Sequence, residues 1–166
     1  DSIPPAQYTA LVDLFNSTNG TGWTTQTGWG NASATAWHGV TINGVVTDGG
    51  GNVIQTGNVT AIELPDNGLA GSLPASIANL TRLTRLDLSF NSIGGSIPST
   101  IGNLTALESL ELWSNAFSGP IPASITSLTA LEILDLSDNN LSGPIPSGIG
   151  SLAQLTYLAL FSNQLD

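Results

Sequence analysis

From residue 56 to the last residue, Asp166, the sequence repeats every 24 positions, with units starting at Thr56, Leu80, Leu104, Leu128 and Leu152. Two of them read LTALESLELWSNAFSGPIPASITS and LTALEILDLSDNNLSGPIPSGIGS. No insertion or deletion interrupts the four full units; the fifth stops after its fifteenth position. A fixed period of this length means stacked copies of one supersecondary unit, each burying its apolar side against the next. Positions 7 and 9 are apolar in every unit (Ile62/Leu64, Leu86/Leu88, Leu110/Leu112, Leu134/Leu136, Leu158/Leu160). The residue between them is polar in four of the five. Period-two alternation predicts one short strand per unit with its apolar side inward, and identical spacing stacks these strands into a parallel sheet.

The other invariant positions have physical readings of their own. Position 12 is always asparagine (Asn67, Asn91, Asn115, Asn139, Asn163). A buried amide can satisfy backbone groups where the chain leaves the strand, so these residues are expected to form a structural ladder. Position 16 is glycine in all four full units, as a tight bend requires. Pro74, Pro98, Pro122 and Pro146 are expected to start a short helical turn, where a missing N–H costs nothing. Ile77, Ile101, Ile125 and Ile149 then point back into the core.

The pattern LxxLxxLxLxxNxLxGxIPxxI, covering residues 56–166, resembles the plant-type leucine-rich repeat. The resemblance implies an α/β fold: a right-handed solenoid with a concave parallel sheet, short 3-10 turns on the convex side, and an N-terminal cap. It also implies a binding function, as in receptor ectodomains, protein inhibitors and adhesion modules.

Residues 1–55 differ in composition: they hold two of the 23 leucines but three of the four tryptophans, Trp23, Trp29 and Trp37. They resemble the family's N-terminal cap. A helix is expected over about 4–17, started by Pro4 and Pro5, with Tyr8, Leu11, Val12 and Phe15 on one face. A Trp-rich loop follows. TAWHGVTI matches the cap pattern C-x-W-x-G-V-x-C at Trp37, Gly39 and Val40, but Thr35 and Ile42 replace the cysteines. This cap must therefore hold by packing around its tryptophans. Asn43-Gly44 and Asp48-Gly-Gly-Gly-Asn52 are turn signals, and a small antiparallel meander is expected over about 40–55.

Charge and composition narrow the partners. The net charge is −10, with Arg82 and Arg85 the only basic residues, so nucleic acid is excluded as a ligand. No apolar run reaches the ~18 residues of a membrane span. There is no cysteine, which removes thiol catalysis and thiolate metal sites, and the lone histidine, His38, reads as a packing residue of the cap rather than a general base. No enzymatic arrangement emerges, and no cofactor is implied.

Function is expected on the outward strand positions. Glu63, Asp87, Glu111 and Asp135 share position 8 and would form an acidic column about 14 Å long, given strands ~4.8 Å apart. Such a column would suit a basic patch on a partner, or calcium, whose ligands are oxygens. Solvated carboxylates are the ordinary alternative, more so for Asp87 and Asp135 than for the two glutamates. Trp113, Tyr157 and Phe161 are outward aromatics, favoured as interface anchors and able to stack on sugar rings. Seven N-x-S/T sequons, at Asn16, Asn19, Asn31, Asn58, Asn79, Asn103 and Asn140, are candidate glycosylation sites in a secreted chain. The leading expectation is a secreted or surface-displayed module binding a protein or glycan on its concave face. The rival is an adhesin stalk or assembly subunit that self-associates through the C-terminal end of the solenoid, where the fifth unit leaves apolar residues without a following repeat.

Overall fold

The computed structural model describes residues 3–31, 36–44, 46–47, 53–55 and 57–166. Thr35 and the Asp48–Asn52 turn lie outside them. The chain begins with helix α1 (Pro5–Ser17), which opens on proline and buries Gln7, Ala10, Leu11, Leu14 and Phe15. Tyr8 and Val12, on the same face, pack against the core half-buried. The helix stops at Thr18, whose backbone N–H and hydroxyl both donate to the Leu14 carbonyl, at 3.1 and 2.6 Å.

Below α1 the cap is an aromatic cluster. Trp29 sits between Trp23 and Trp37, with ring centroids 4.8 and 5.0 Å away, and stacks on Phe15 at 6.2 Å. The indole N–H groups are satisfied by main chain: Trp23 donates to the Thr18 carbonyl (2.9 Å) and Trp29 to that of His38 (2.8 Å). The His38 side chain is exposed, contrary to its expected packing role; its carbonyl does the work.

Two antiparallel ladders stand where the meander is expected. β1 (Val40–Asn43) pairs antiparallel with β4 (Asn58–Glu63), and β2 (Val46–Thr47) with β3 (Val53–Gln55). Each ladder has one shift of register, between Thr41 and Ile42 in the first and between Val46 and Thr47 in the second. β1 meets the repeats at Gly39: its φ is +73°, and a Cβ there would lie 2.2 Å from the Glu63 carbonyl oxygen. Only glycine can stand at that crossing.

Each repeat adds a coil. β5 (Ala70–Ser72), β6 (Arg85–Asp87), β7 (Ser92–Gly95), β8 (Ser109–Glu111), β9 (Ala116–Gly119), β10 (Ile133–Asp135), β11 (Asn140–Gly143), β12 (Tyr157–Ala159) and β13 (Gln164–Leu165) alternate between two sheets. The main sheet runs β1-β4-β6-β8-β10-β12, parallel from β4 onward, with Ile62, Leu86, Leu110, Leu134 and Leu158 in one register. A second parallel sheet, β13-β11-β9-β7-β5, was not foreseen. Its reason lies at position 14, where Leu69, Ile93, Phe117 and Leu141 are fully buried and give each coil a second inward anchor. The 3-10 turns Ala75–Asn79, Ser99–Asn103, Ala123–Ser127 and Ser147–Ser151 close the coils. The prolines stand one residue before these turns, as N-caps, and their carbonyls accept from Ile77, Ile101, Ile125 and Ile149 at 3.0–3.1 Å.

The asparagines of position 12 join neighbouring coils. Asn115 accepts from the Ile93 N–H (3.0 Å) and donates to the carbonyls of Leu88 and Leu112 (2.9 and 3.1 Å). Asn139 repeats this pattern on Phe117, Leu112 and Leu136, and Asn163 on Leu141, Leu136 and Leu160. Asn67, in the first unit, makes its pair with Thr25 of the cap instead, accepting from its N–H (2.7 Å) and donating to its carbonyl (2.9 Å). Cap and repeats share one hydrophobic core, from Ile3 and Leu11 to Leu152. Each buried leucine contributes about 1.5–3 kcal/mol relative to its exposed state. In the fifth unit the same register leaves Leu158 44% exposed, because only one neighbouring coil covers it.

Candidate functional site

Positions 5, 6, 8 and 10 project from the outer face of the main sheet, since positions 7 and 9 are committed to the core. The acidic column expected there is in register, Glu63↔Asp87↔Glu111 and then Asp135. Its members do different things. Asp87 and Asp135 are only 8 and 9% exposed. One carboxylate oxygen of Asp87 accepts from both the N–H and the hydroxyl of Ser89, at 3.1 and 2.6 Å. Asp135 treats Ser137 the same way, at 3.0 and 2.5 Å. These two aspartates fix the turn after their own strands.

The glutamates serve a cation of the chain itself. Arg85, at position 6, lies between the first and third units. Its Nε is 2.9 Å from Glu63 Oε1, and its Nη2 is 2.7 Å from Glu111 Oε1 and 3.5 Å from Asp87 Oδ2. The Nε contact lies off the N–H direction, so it is Coulombic attraction rather than a hydrogen bond. Ser109 donates its hydroxyl to the same Glu111 oxygen, at 2.9 Å. The column is thus partly neutralised from within. The signal was present in the sequence: position 6 shares the outer face with position 8, and strand register sets Arg85 among three acids. Among the described residues no group of three or more His, Cys, Asp or Glu side chains is placed to hold a metal ion.

The aromatics fall into two places. Trp113, half-buried, meets Phe90 edge to face, with centroids 4.4 Å apart and planes at 66°. Phe90 is 53% exposed and escaped the sequence reading. It occupies position 11, where every unit turns through a left-handed residue: Asp66, Phe90, Ser114, Asp138 and Ser162 have φ between 48° and 53°, and Phe90 itself 53°. A bulky side chain is disfavoured in that conformation. Phenylalanine among aspartates and serines was the overlooked sign. Tyr157 and Phe161 stand apart on the fifth coil, 48 and 62% exposed, beside Leu158. The column ends at Ala159, which is buried.

Of the sequon asparagines, Asn16, Asn19, Asn31, Asn79, Asn103 and Asn140 are exposed. Asn58 is half-buried, and its Oδ1 accepts from Gln7 Nε2 (2.8 Å). Gln7 in turn accepts from the Val59 N–H (2.8 Å), pinning α1 to the first strand of the repeats. No helix among the described residues is long and apolar enough to cross a membrane.

Comparison with known proteins agrees with this geometry. Residues 105–165 match one leucine-rich-repeat family model, and residues 82–104 another. No curated protein matches the sequence. The ectodomain of the receptor kinase SOBIR1 from Arabidopsis thaliana superposes with a TM-score of 0.81 at 28% identity, over 99% of this chain and 83% of that one. The BIR2 ectodomain from the same plant gives 0.83 at 29%, over 100 and 83%. A chain of the Arabidopsis BIR3–SERK2 complex gives 0.80 at 32%, over 95 and 81%.

Proposed function

The chain belongs to the plant-type leucine-rich-repeat family, and on that premise we propose that it is an extracellular recognition module that binds a protein partner on the outer face of its main sheet. The observation that carries this reading is the Phe90–Trp113 pair, a solvent-facing aromatic contact on a surface where core packing has no use for one. Exposed aromatics flanked by polar residues are the usual anchors of protein interfaces. Arg85, Glu63 and Glu111 lie beside it as polar neighbours that set which partner is accepted. The similar proteins support the reading, since one is the ectodomain of a receptor kinase, another is an ectodomain, and a third is held in a complex with a second protein.

A random-peptide library and a glycan array, both presented to the folded chain, test it. Peptides that the chain captures are expected to be lost by Trp113→Ala. Capture that survives Trp113→Ala and Phe90→Ala together, or binding confined to saccharides, overturns the protein-binding face. A second reading, an assembly subunit with end-to-end contacts, draws on the exposed outward aromatics Tyr157 and Phe161 of the fifth coil. Light scattering separates the two, because a monomer at high concentration removes the second.

A further inference from the structure

A pocket of about 280 Å³ opens in the cap between α1 and the tryptophan-bearing loops. One wall is Tyr8, Val12 and Asn16, set four residues apart and so on one face of the helix. The other is Trp29, Gly30 and Trp37, and Phe15 completes the lining. The rings do not stack it closed: Trp37 stands at 59° to Trp29 and at 76° to Tyr8. Gly30 has a φ of +72°, and a Cβ there would lie 3.5 Å from the Phe15 ring, so glycine leaves this corner unfilled. The volume falls just short of the ~300 Å³ at which pockets for drug-sized molecules begin, so the guest is small.

Among the described residues no charged side chain lines this pocket. Asp13, the one acid of α1, accepts from the Ser76 hydroxyl at 2.6 Å and is engaged there. The walls offer aromatic rings, whose faces carry negative potential, together with the Tyr8 hydroxyl and the exposed Asn16 amide. Residues 1–55 contain neither lysine nor arginine, and the chain carries a net charge of −10, so the surrounding field draws cations in. We propose that this pocket binds a quaternary ammonium group, the trimethylammonium head of a choline-type molecule. Rings inclined to one another can each present a face or an edge region to such a guest, and a cation is held by the faces. A primary ammonium is a strongly hydrated point charge with three donors to satisfy. A quaternary ammonium has no N–H to leave unpaired among apolar walls, where an unmade hydrogen bond is costly. The site belongs to the cap and is independent of the recognition face at Phe90 and Trp113.

The test uses the full 166-residue chain, 15N-labelled and made in a bacterial host so that Asn16 carries no glycan. Choline chloride, ethanolamine hydrochloride and 3,3-dimethylbutan-1-ol, which has the shape of choline without its charge, are titrated at constant ionic strength held with sodium chloride. Choline is expected to move the indole N–H signals of Trp29 and Trp37 along a saturating curve and to leave that of Trp113 in place. The neutral alcohol should bind about tenfold more weakly or worse, the difference expected for a desolvated cation against aromatic faces, and ethanolamine more weakly than choline. Tyr8→Leu should weaken choline about two- to fivefold, the share of one ring, whereas Tyr8→Phe keeps the affinity. Shifts that fail to saturate, that fall on Trp113 instead, or that the neutral alcohol or ethanolamine produces as strongly as choline overturn the proposal. So does an affinity that Tyr8→Leu leaves unchanged. The comparison of choline with its neutral isostere is made on the unaltered chain and stands whether or not a variant folds. Cosedimentation with phosphatidylcholine vesicles that free choline reverses would assign the head to a lipid, and choline binding without it to a free molecule; the proposal holds in both.

Discussion

In the cap, holding is concentrated in one cluster of rings, with Trp29 touching Trp23, Trp37 and Phe15 at its centre. In the repeats the same task is divided among four asparagines, from Asn91 to Asn163, and a column of leucines, each making the bonds its neighbour makes one coil away. The cap has no disulfide to fall back on, since the chain has no cysteine. Concentrated and distributed stabilisation fail differently. Losing the centre of the cluster removes several contacts at once, whereas losing one rung leaves the other joints intact, because a solenoid's stability is close to a sum over nearest neighbours.

The largest expected effect follows from this contrast. Trp29→Ala should cost about 3–5 kcal/mol, as large core truncations do. The loss should fall on the cap, so that tryptophan fluorescence reports an earlier transition in denaturant than circular dichroism of the repeats. Coincident transitions would mean that the cap is not held separately and would break the comparison. Asn115→Ala comes next, at about 1–3 kcal/mol, because it strands the Ile93 N–H in a buried joint and leaves the Leu88 carbonyl with the Asn91 amide as its side-chain donor. Thermal unfolding measures it; an unchanged Tm would show that the ladder does not hold the coils. The smallest effect is Arg85→Gln. Its ion pairs are between side chains 37, 48 and 19% exposed, so the change in stability should stay within about 1 kcal/mol and shrink further in high salt. A larger, salt-independent loss would make the outer face a structural element rather than a recognition surface.

The repeats were legible because each of their residues has one demand and that demand recurs. Leu110 must be apolar, Asn115 must offer both a donor and an acceptor, and Gly119 must adopt a φ of +75°. The cap helix was legible from Pro5 and its apolar face, and the reliance on tryptophans from the missing cysteines. What escaped depended on neighbours rather than on period. Arg85 gains its partners from two adjacent coils, and Phe90 finds Trp113 across a turn. A column-by-column reading treats such residues as exceptions to an average, and the exceptions carry the candidate site. The second sheet was missed for another reason: its strands contain Gly94 and Gly119, whose weak strand preference is overruled by the buried Ile93 and Phe117 beside them.

The ladder also makes length itself adjustable. Asn139 binds the carbonyl of Leu112 in the way Asn115 binds that of Leu88. A gene rearrangement that excised residues 104–127 would therefore present Leu88 to Asn139 with the old joint remade, and a duplication would insert a coil at equally little cost. Each such step moves whatever lies beyond it by one strand spacing, ~4.8 Å. Excising residues 104–127 would also remove Glu111 and Trp113, and with them a partner of Arg85 and the ring that meets Phe90, whereas a coil added after residue 127 keeps both contacts and carries Tyr157 and Phe161 one spacing further away.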